Sequence, residues 1–231
     1  MNQFNGFNSD IYNFFKELSE NNSKEWFDLH RPFYEKEIKT MSKSFIESMK
    51  ELFYASKLDY VADPKFNLFR INRDIRFSPN KKPYKTNLGI FFPHRIDVND
   101  FKKTASGVYI HFGINECFIA TGMFNPQAPL LKLIRKKIAN NWYDFEHILN
   151  NAKFKEYFPF EHDKDNVAKK VMGYNSDNPA YEYLKKKTFT YHKNYDNSIF
   201  YSDELIQLVL KSAESSQDFS IFLNDVLLEL E

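Results

Sequence analysis

The residues best suited to chemistry lie close together in residues 70–86, which we call the basic segment. It holds one acid, Asp74, and six cations: Arg70, Arg73, Arg76, Lys81, Lys82 and Lys85. Six cations and one acid give a local charge of +5, whereas the whole chain of 231 residues has a net charge of +1. Arginine forks match planar phosphate or carboxylate groups, and lysines act as mobile point charges. We therefore expect a cleft that binds a phosphate-bearing or other anionic small ligand.

Specific roles follow from the residue types. The predicted ligand-binding residues are Arg70, Arg76, Lys81, Tyr84 and Lys85. Tyr84 would form a hydrogen-bonding or stacking wall, and Asp74 would orient an arginine or act as a general base. An alternative is an enzyme that acts on a phosphorylated substrate or nucleic acid, with Asp74 and Glu25 as acid/base groups or metal ligands.

Arg73 has a different predicted role, because residues 69–77 read as an extended strand. Alternate side chains of a strand face opposite sides. The apolar side would then carry Phe69, Ile71, Arg73, Ile75 and Phe77, and the polar side Arg70, Asn72, Asp74 and Arg76. An unpaired charge on the apolar side would cost several kcal/mol. We expect Arg73 to form a structural ion pair with Glu25 or Glu35. A third reading extends this pairing to the whole segment, which would then be the internal ion network of a structural or partner-binding domain.

Other candidate chemistry is sparse. His111 beside Tyr109 on one strand face is a candidate general base, although a hydrogen-bonded histidine within a sheet is commoner. The chain has no HExxH, no CxxC and no paired-histidine spacing, so we predict no metal site and no cofactor. It also lacks the GxGxxG, GKS/T and GxSxG motifs of familiar nucleotide folds and hydrolases. The single cysteine, Cys117, lies in a strand-like stretch and reads as a buried, inert thiol.

The spacing of apolar residues predicts the elements that position these groups. Helical stripes occupy both ends of the chain, including one behind a Ser9 cap and separate C-terminal helices near 205–209 and 219–230. Residues 106–124 predict two strands around a turn at 113–115, and Leu130, Ile134 and Ile138 predict a helix that reaches about Asn140. The sequence thus predicts a single α+β domain over residues 1–231. Its antiparallel or mixed central sheet would be packed by N-terminal and C-terminal helices.

Composition limits the partners. The near-zero net charge disfavours a protein that coats nucleic acid with its whole surface, so a nucleic-acid partner is possible but less favoured than an anionic small molecule. No window approaches the ~20 apolar residues of a membrane span, and no cationic and apolar leader is present. One cysteine fits a reducing compartment. We expect a cytoplasmic protein with no membrane contact; its oligomeric state is left open.

Four stretches resemble, in order, the bacterial conserved hypothetical proteins of domain-of-unknown-function family 2461. They are NNSKEWFDLHRPFYE (21–35), FRINRDIRFSPNKKPYKT (69–86), residues 106–135 and GYNSDNPAYEYLKKKTFT (173–190). The core RDxRFSxxKxPYKT is the most specific of them. The resemblance brings no activity with it. The chain departs from the family pattern at Asn80, where the family tends to carry Asp, and at Met172, where a basic residue would precede the glycine.

Overall fold

An antiparallel sheet forms the centre of the fold in the computed structural model, which describes residues 4–97 and 105–229. Its strands are β1 (Asn87–Pro93), β2 (Gly107–Gly113), β3 (Cys117–Met123), β4 (Phe160–Glu161) and β5 (Phe189–Asn194). They lie in the order β1-β2-β3-β5-β4, with every pair antiparallel. The predicted hairpin at 106–124 is confirmed as β2 and β3, and the α+β class is confirmed.

Helices precede and follow the sheet strands. The N-terminal ones are α1 (Asp10–Glu20), α2 (Lys24–Phe33) and α3 (Lys39–Ala55), with a π-helical stretch at Tyr34–Ile38. The later ones are α4 (Ala128–Asn140), α5 (Trp142–Asn150), α6 (Ala152–Tyr157), α7 (Tyr181–Leu184) and α8 (Glu204–Asn224). Short 3-10 helices occupy Asn197–Tyr201 and Asp225–Glu229. Leu130, Ile134 and Ile138 are buried on α4 as predicted.

The helices pack on one face of the sheet. On β2, the side chains of Val108, Ile110 and Phe112 are buried on this face, and α8 contacts β2 and β3 there. The ring of Phe112 stacks on Phe200 at 4.8 Å between centroids. Phe92 of β1 packs edge-on against Phe53 of α3 at 5.3 Å. N-terminal and C-terminal helices therefore share one core, as the sequence predicted.

The prediction of a regular strand at residues 69–77 is wrong. Only isolated bridges join this region to its neighbours, Leu68 to Ile90 and Asn72 to Tyr84. Bends interrupt the chain between residues 71 and 79, and two prolines at 79 and 83 remove backbone donors. Ile71 is buried as predicted, but Phe77 is 94% exposed.

Two details at helix ends also differ from prediction. Ser9 makes no side-chain cap hydrogen bond, and the Asn8 side chain accepts one from the backbone N–H of Asp10 instead. The predicted pair of C-terminal helices is the single helix α8 followed by a 3-10 turn. Small polar residues interrupt the apolar stripe of α8, but Ser212, Ser216 and Ser220 are buried within the same continuous helix.

Asn22 fastens the basic segment to the helices. Its side-chain amide donates to the carbonyl of Tyr84 at 3.0 Å, and its side-chain oxygen accepts from the Tyr84 N–H at 3.0 Å. Tyr84 is buried and stacks on Phe27 of α2 at 4.3 Å between ring centroids. These contacts fix the end of the basic segment next to the start of β1.

We predict that Asn22→Ala lowers the free energy of unfolding by about 1–3 kcal/mol, because two partly buried backbone groups of Tyr84 lose their partner. Urea unfolding measures this change. Asn13→Ala is the matched control, since Asn13 is exposed on α1 with no side-chain hydrogen bond among the described residues; it should change stability by less than about 0.5 kcal/mol. Equal effects of the two substitutions would show that the Asn22 contacts do not stabilise the fold.

Candidate functional site

Four of the six cations of the basic segment are bound within the protein. Arg76 forms a two-point ion pair with Asp74, with Nε to Oδ1 at 3.0 Å and the terminal nitrogen to Oδ2 at 2.7 Å. Lys81 Nζ donates to the carbonyl of Ile75 at 3.0 Å. Lys82 Nζ donates to the carbonyl of Ser19 at 3.0 Å, at the C-terminal end of α1, where the helix dipole favours a cation. The fourth is Arg73.

Arg73 is not held by the carboxylate that the sequence predicts. Its guanidinium donates to the carbonyl of Lys82 at 3.1 Å and lies 3.5 Å from Ser78 Oγ. Glu35 instead pairs with Lys39 at 2.8 Å, and Glu25 forms no ion pair among the described residues. The side chain is half-buried, so carbonyl and hydroxyl oxygens can satisfy it without a buried carboxylate. Arg73 therefore closes the loop of the basic segment upon itself.

Two other predicted site residues, Asp74 and Tyr84, are engaged in contacts within the protein. Asp74 is occupied by Arg76, and this hydrogen-bonded pairing holds the pKa of the Asp74 carboxyl below its usual value, which suits an ion pair better than a general base. Tyr84 is 5% exposed within the core, so its ring packs against the protein rather than lining an open wall.

Arg70 and Lys85 are the remaining cations. Within residues 4–97 and 105–229, neither side chain forms a hydrogen bond or an ion pair, although the charge of Arg70 contributes to the lowered pKa of Asp74. Lys85 is half-buried, and its Nζ lies 5.1 Å from the centre of the Phe69 ring. Burial, and then the charge of Arg70, lower the pKa of Lys85. The two cations therefore lie close enough to repel each other, and each has capacity to bind an anion.

Lys85 lies beside the sheet face that the helices leave uncovered, because its Nζ is over the Phe69 ring and that ring lies 5.6 Å from the ring of Tyr109 on this face. The strand residues of this face include Asn87, Gly89, Tyr109, His111, Phe118, Ala120 and His192, and Phe69 and His162 flank it; we call it the histidine face. Phe69 reaches it because residues 67–69 run beside β1, with the Phe69 N–H donating to the carbonyl of Gly89 at 2.9 Å. The basic segment and the histidine face therefore meet at β1.

His111 occupies the part of the histidine face nearest to Lys85. Its Nδ1 lies 3.2 Å from the Tyr109 hydroxyl and 3.5 Å from the Asn87 amide nitrogen, and its Nε2 lies 3.9 Å from Glu116 Oε1. An amide nitrogen only donates, so Nδ1 is the acceptor and Nε2 carries the proton of the neutral ring. The imidazole is thus oriented between a hydroxyl and a carboxylate.

Two glycines make room for these side chains. A Cβ on Gly113 would lie 2.8 Å from His111 Nε2, and a Cβ on Gly89 would lie 2.9 Å from the Tyr109 hydroxyl. Because neither glycine has a positive φ, the need is for space rather than for an unusual backbone conformation. The close approach of Tyr109 and His111 to β1 and to the hairpin turn depends on both.

Burial controls the protonation of these groups. It lowers the pKa of His111; Glu116 opposes this shift and Lys85 adds to it. Burial raises the pKa of Tyr109 to about 12, so its hydroxyl keeps its proton at neutral pH. His111 can accept a proton in this surrounding, and Tyr109 can donate a hydrogen bond.

A row of rings continues across the face. His111 stacks on Phe118 at 4.6 Å with 7° between planes. Phe118 contacts His192 at 5.7 Å, and His192 contacts His162 edge-on at 5.5 Å. Strand register brings these rings together, since His111 pairs with Phe118 and Ala120 pairs with His192. This row of rings could not be predicted from the sequence, because only the order of the strands brings its members together.

Two open grooves lie away from the cations. One of about 650 Å³ is lined by Lys169, Lys170, Tyr174 and Tyr181, and another of about 540 Å³ by Glu116, Cys117 and residues 194–197. Neither groove is lined by Arg70 or Lys85, so the two cations that lack a hydrogen bond or an ion pair lie outside both grooves. Cys117 is confirmed as a buried free thiol, and burial raises its pKa to about 11.

In the described part of the chain, no three His, Cys, Asp or Glu side chains are grouped to hold a metal ion. Nor does any helix within the described residues have the length and apolar character needed to span a membrane. The cytoplasmic location stays a prediction.

A family model covers most of the chain. It is described as conserved hypothetical protein (DUF2461), and it matches residues 10–222. The chain belongs to this family. The resemblance to this family is thereby confirmed, and the DUF2461 match includes the basic segment and all five strands of the described residues. No curated protein and no solved structure matches the chain.

Asn80 and Met172, where the sequence analysis expected departures from the family, have different surroundings. Asn80 Oδ1 accepts the N–H of Lys82 at 3.0 Å, a turn that an aspartate would form in the same way. Met172 is 92% exposed beside the first groove. Neither residue contacts Arg70 or Lys85, so the candidate site is unchanged by them.

We predict that the imidazole of His111 titrates below the value it has in the urea-unfolded chain, as measured by NMR. Glu116→Gln should lower this pKa further, because the charged ring loses its carboxylate neighbour, and Lys85→Met should raise it. Since the folded pKa is the lower one, the unfolded state takes up more protons below about pH 6.5, and His111 contributes to a loss of stability as the pH falls. A rise of the His111 pKa in Glu116→Gln, or a fall in Lys85→Met, would contradict this arrangement.

Proposed function

We propose that this protein binds the anionic group of a small molecule, a phosphate in the first instance, between Arg70 and Lys85 beside the histidine face. The proposal rests on a difference among the six cations of the basic segment. Four cations are occupied by Asp74, by backbone carbonyls or by a hydroxyl, whereas Arg70 and Lys85 form no hydrogen bond or ion pair among the described residues, and Arg70 acts on Asp74 through its charge alone. An internal ion network would have paired all six.

The electrostatics support this division. Keeping the charge of Lys85 half-buried beside Arg70 is unfavourable, as the lowered pKa of Lys85 indicates. A bound anion would relieve that repulsion and raise the pKa again, so binding and protonation of Lys85 would be coupled. Sites that bind ligands often keep residues at a cost in stability. The Phe69 ring below Lys85 offsets only part of this cost.

We predict that Arg70→Gln and Lys85→Gln each weaken the binding of inorganic pyrophosphate by about tenfold or more. A charge-assisted hydrogen bond contributes about 1.5–3 kcal/mol, which is roughly 10- to 150-fold in affinity. Isothermal titration calorimetry at low salt measures the change. Both variants should be at least as stable as the wild type in urea, because they remove repulsion.

Arg76→Gln is the matched control, since it removes an arginine of the same segment that is already paired with Asp74. It should leave pyrophosphate binding within about twofold, because a paired, exposed cation contributes little. Equal weakening by Arg76→Gln and Arg70→Gln would show a diffuse charge effect rather than a site. Absence of pyrophosphate binding to the wild type would remove the proposal.

An enzyme that acts on a phosphorylated substrate is a second candidate, and one observation favours it. His111 is a proton acceptor held between Tyr109 and Glu116, next to the two cations. This geometry is that of a general base oriented by neighbours. The acid/base role predicted for Asp74 and Glu25 thus passes to His111, whose Nδ1 can take the proton of the Tyr109 hydroxyl while that hydroxyl takes a proton from a water that attacks a phosphate ester.

We predict that the protein releases p-nitrophenol slowly from p-nitrophenyl phosphate, and that His111→Gln abolishes the release while pyrophosphate still binds. Absorbance at the p-nitrophenolate band follows the reaction. His147→Gln, a change on α5 away from the site, controls for a contaminating phosphatase. If release survives in His111→Gln, the activity does not belong to this site and the protein is a binding module.

A further inference from the structure

The open groove of about 650 Å³ is formed by the loop that precedes α7. Residues 169–171 and 173–176 line it together with Tyr181, and we call it the lysine groove. Lys169 and Lys170 are its two charged lining residues, and both are exposed. Asp177 follows the lining residues but is not one of them. The walls of the lysine groove are therefore positively charged.

The two lysines of the groove form no hydrogen bond or ion pair in the described part of the chain, whereas lysines close by are paired. Lys185 pairs with Glu182 at 3.0 Å, and Lys186 pairs with Glu161. These pairs lie next to the segment that leads into the groove, because the Ala168 N–H donates to the Lys185 carbonyl at 2.7 Å. Both carboxylates are thus occupied, and the two groove lysines have capacity to bind an anion.

A partly buried guanidinium adds positive charge beside the groove. Arg135 of α4 donates to the carbonyl of Lys186 at 3.1 Å, and its Nε is buried without a hydrogen-bond partner among the described residues. Lys186 forms an isolated bridge with Val167, which lies two residues before Lys169. No carboxylate of residues 4–97 and 105–229 pairs with Arg135, so its charge is uncompensated and adds to the positive potential of the lysine groove.

The loop that forms the groove is anchored within the protein. Val171 is 4% exposed and Ala180 is fully buried, and both belong to the hydrophobic core. The Tyr174 N–H donates to the carbonyl of Val171 at 3.4 Å. By contrast, the backbone N–H groups of residues 169–173 and 175–177 donate no hydrogen bond to another described residue. An anchored loop thus offers amide donors as well as lysines, and both kinds of group bind anions.

The size and lining of the groove fit an organic phosphate better than a bare ion. Pockets of about 300–1,000 Å³ bind small organic molecules, and this groove falls within that range. Tyr174 and Tyr181 line it, and tyrosine rings can pack against an organic ring. Asn175 and Ser176 add side chains that can both donate and accept hydrogen bonds.

We propose that the lysine groove is a second anion-binding site, which binds a small organic phosphate through Lys169 and Lys170 and holds its organic part beside Tyr174 and Tyr181. The inference goes beyond the proposed function and does not rest on it, since the unpaired cations of the basic segment line neither groove. Two lysines match one dianionic phosphate, whereas an acidic protein segment would present a run of carboxylates and would need a longer row of cations.

An NMR titration of the isotope-labelled full chain with phenylphosphonate tests the proposal. The carbon–phosphorus bond of this probe is not a phosphate ester, so a phosphatase activity would leave it intact. The backbone amide signals of residues 169–177 should shift and saturate as the probe binds. Methylphosphonate lacks the ring and should bind about fivefold more weakly, because an aromatic contact contributes roughly that factor.

The double variant Lys169→Gln/Lys170→Gln should weaken phenylphosphonate binding at these amides about tenfold or more, because charge-assisted hydrogen bonds are lost. Lys187→Gln is the matched control, since Lys187 is exposed near the groove without lining it. It should change the affinity by less than about twofold. All three lysines are exposed, so the variants are expected to fold, and urea unfolding verifies this.

The position of the shifted amides separates this inference from the proposed function. Shifts confined to residues 69–72 and 84–87 would overturn the second site and leave the first in place, whereas shifts confined to residues 169–177 would support the second site and remove the first. Equal weakening by Lys187→Gln and the double variant would overturn the second site as a diffuse charge effect.

Two further results bear on the class of ligand. Equal affinity for the two phosphonates would overturn the assignment of an organic part to the groove. Binding of a hexaglutamate peptide at the same amides, about tenfold tighter than phenylphosphonate, would overturn the small-molecule assignment and identify an acidic protein segment as the ligand.

Discussion

The packing of the helices on one face of the sheet decides what the other face can do. Because side chains alternate along each strand, every residue of β2 that faces the core has a neighbour that faces away from the helices. Val108, Ile110 and Phe112 supply the core, so Tyr109 and His111 must lie on the histidine face. There, neighbouring strands and two flanking segments provide the contacts, and the rings of Tyr109, His111 and His192 remain partly exposed.

The basic segment is held against this sheet by its own charges and amides. Asn22 fixes Tyr84, Arg73 and Lys81 bind carbonyls within the loop, and Lys82 binds the end of α1. Each contact at an exposed position contributes little to stability. Together they determine a path without a regular strand, and this path brings Lys85 over Phe69 at the edge of the histidine face. Most of the positive charge thus serves the shape of the loop rather than a ligand.

Local patterns in the sequence predicted the parts of this structure that depend on neighbours along the chain. The β2-β3 hairpin, the buried stripe of α4 and the burial of the Cys117 thiol followed from spacing and composition. The basic segment was found as a site candidate for the same reason. The regular strand predicted for residues 69–77 was wrong, because bends and prolines interrupt the chain despite the alternation of apolar residues.

The rest of the site required knowledge of contacts between distant residues. The sequence does not show whether Asp74 pairs with Arg70 or with Arg76. The two-point ion pair with Arg76, which lies two residues further along the chain, is seen only in the structure. His162 and His192 join His111 only because β4 and β5 lie beside β3. A scan for metal or catalytic motifs passes over such a row, since its members are spread from residue 111 to residue 192 and share no spacing.

A crystal structure of the protein with pyrophosphate tests the central claim most directly. The account predicts an anion on the histidine face with oxygens within about 2.7–3.2 Å of the Arg70 guanidinium and Lys85 Nζ, and an unbroken pair between Asp74 and Arg76. An anion bound by Arg76 and Lys81 instead, or Arg70 and Lys85 both paired with carboxylates of the protein, would contradict it.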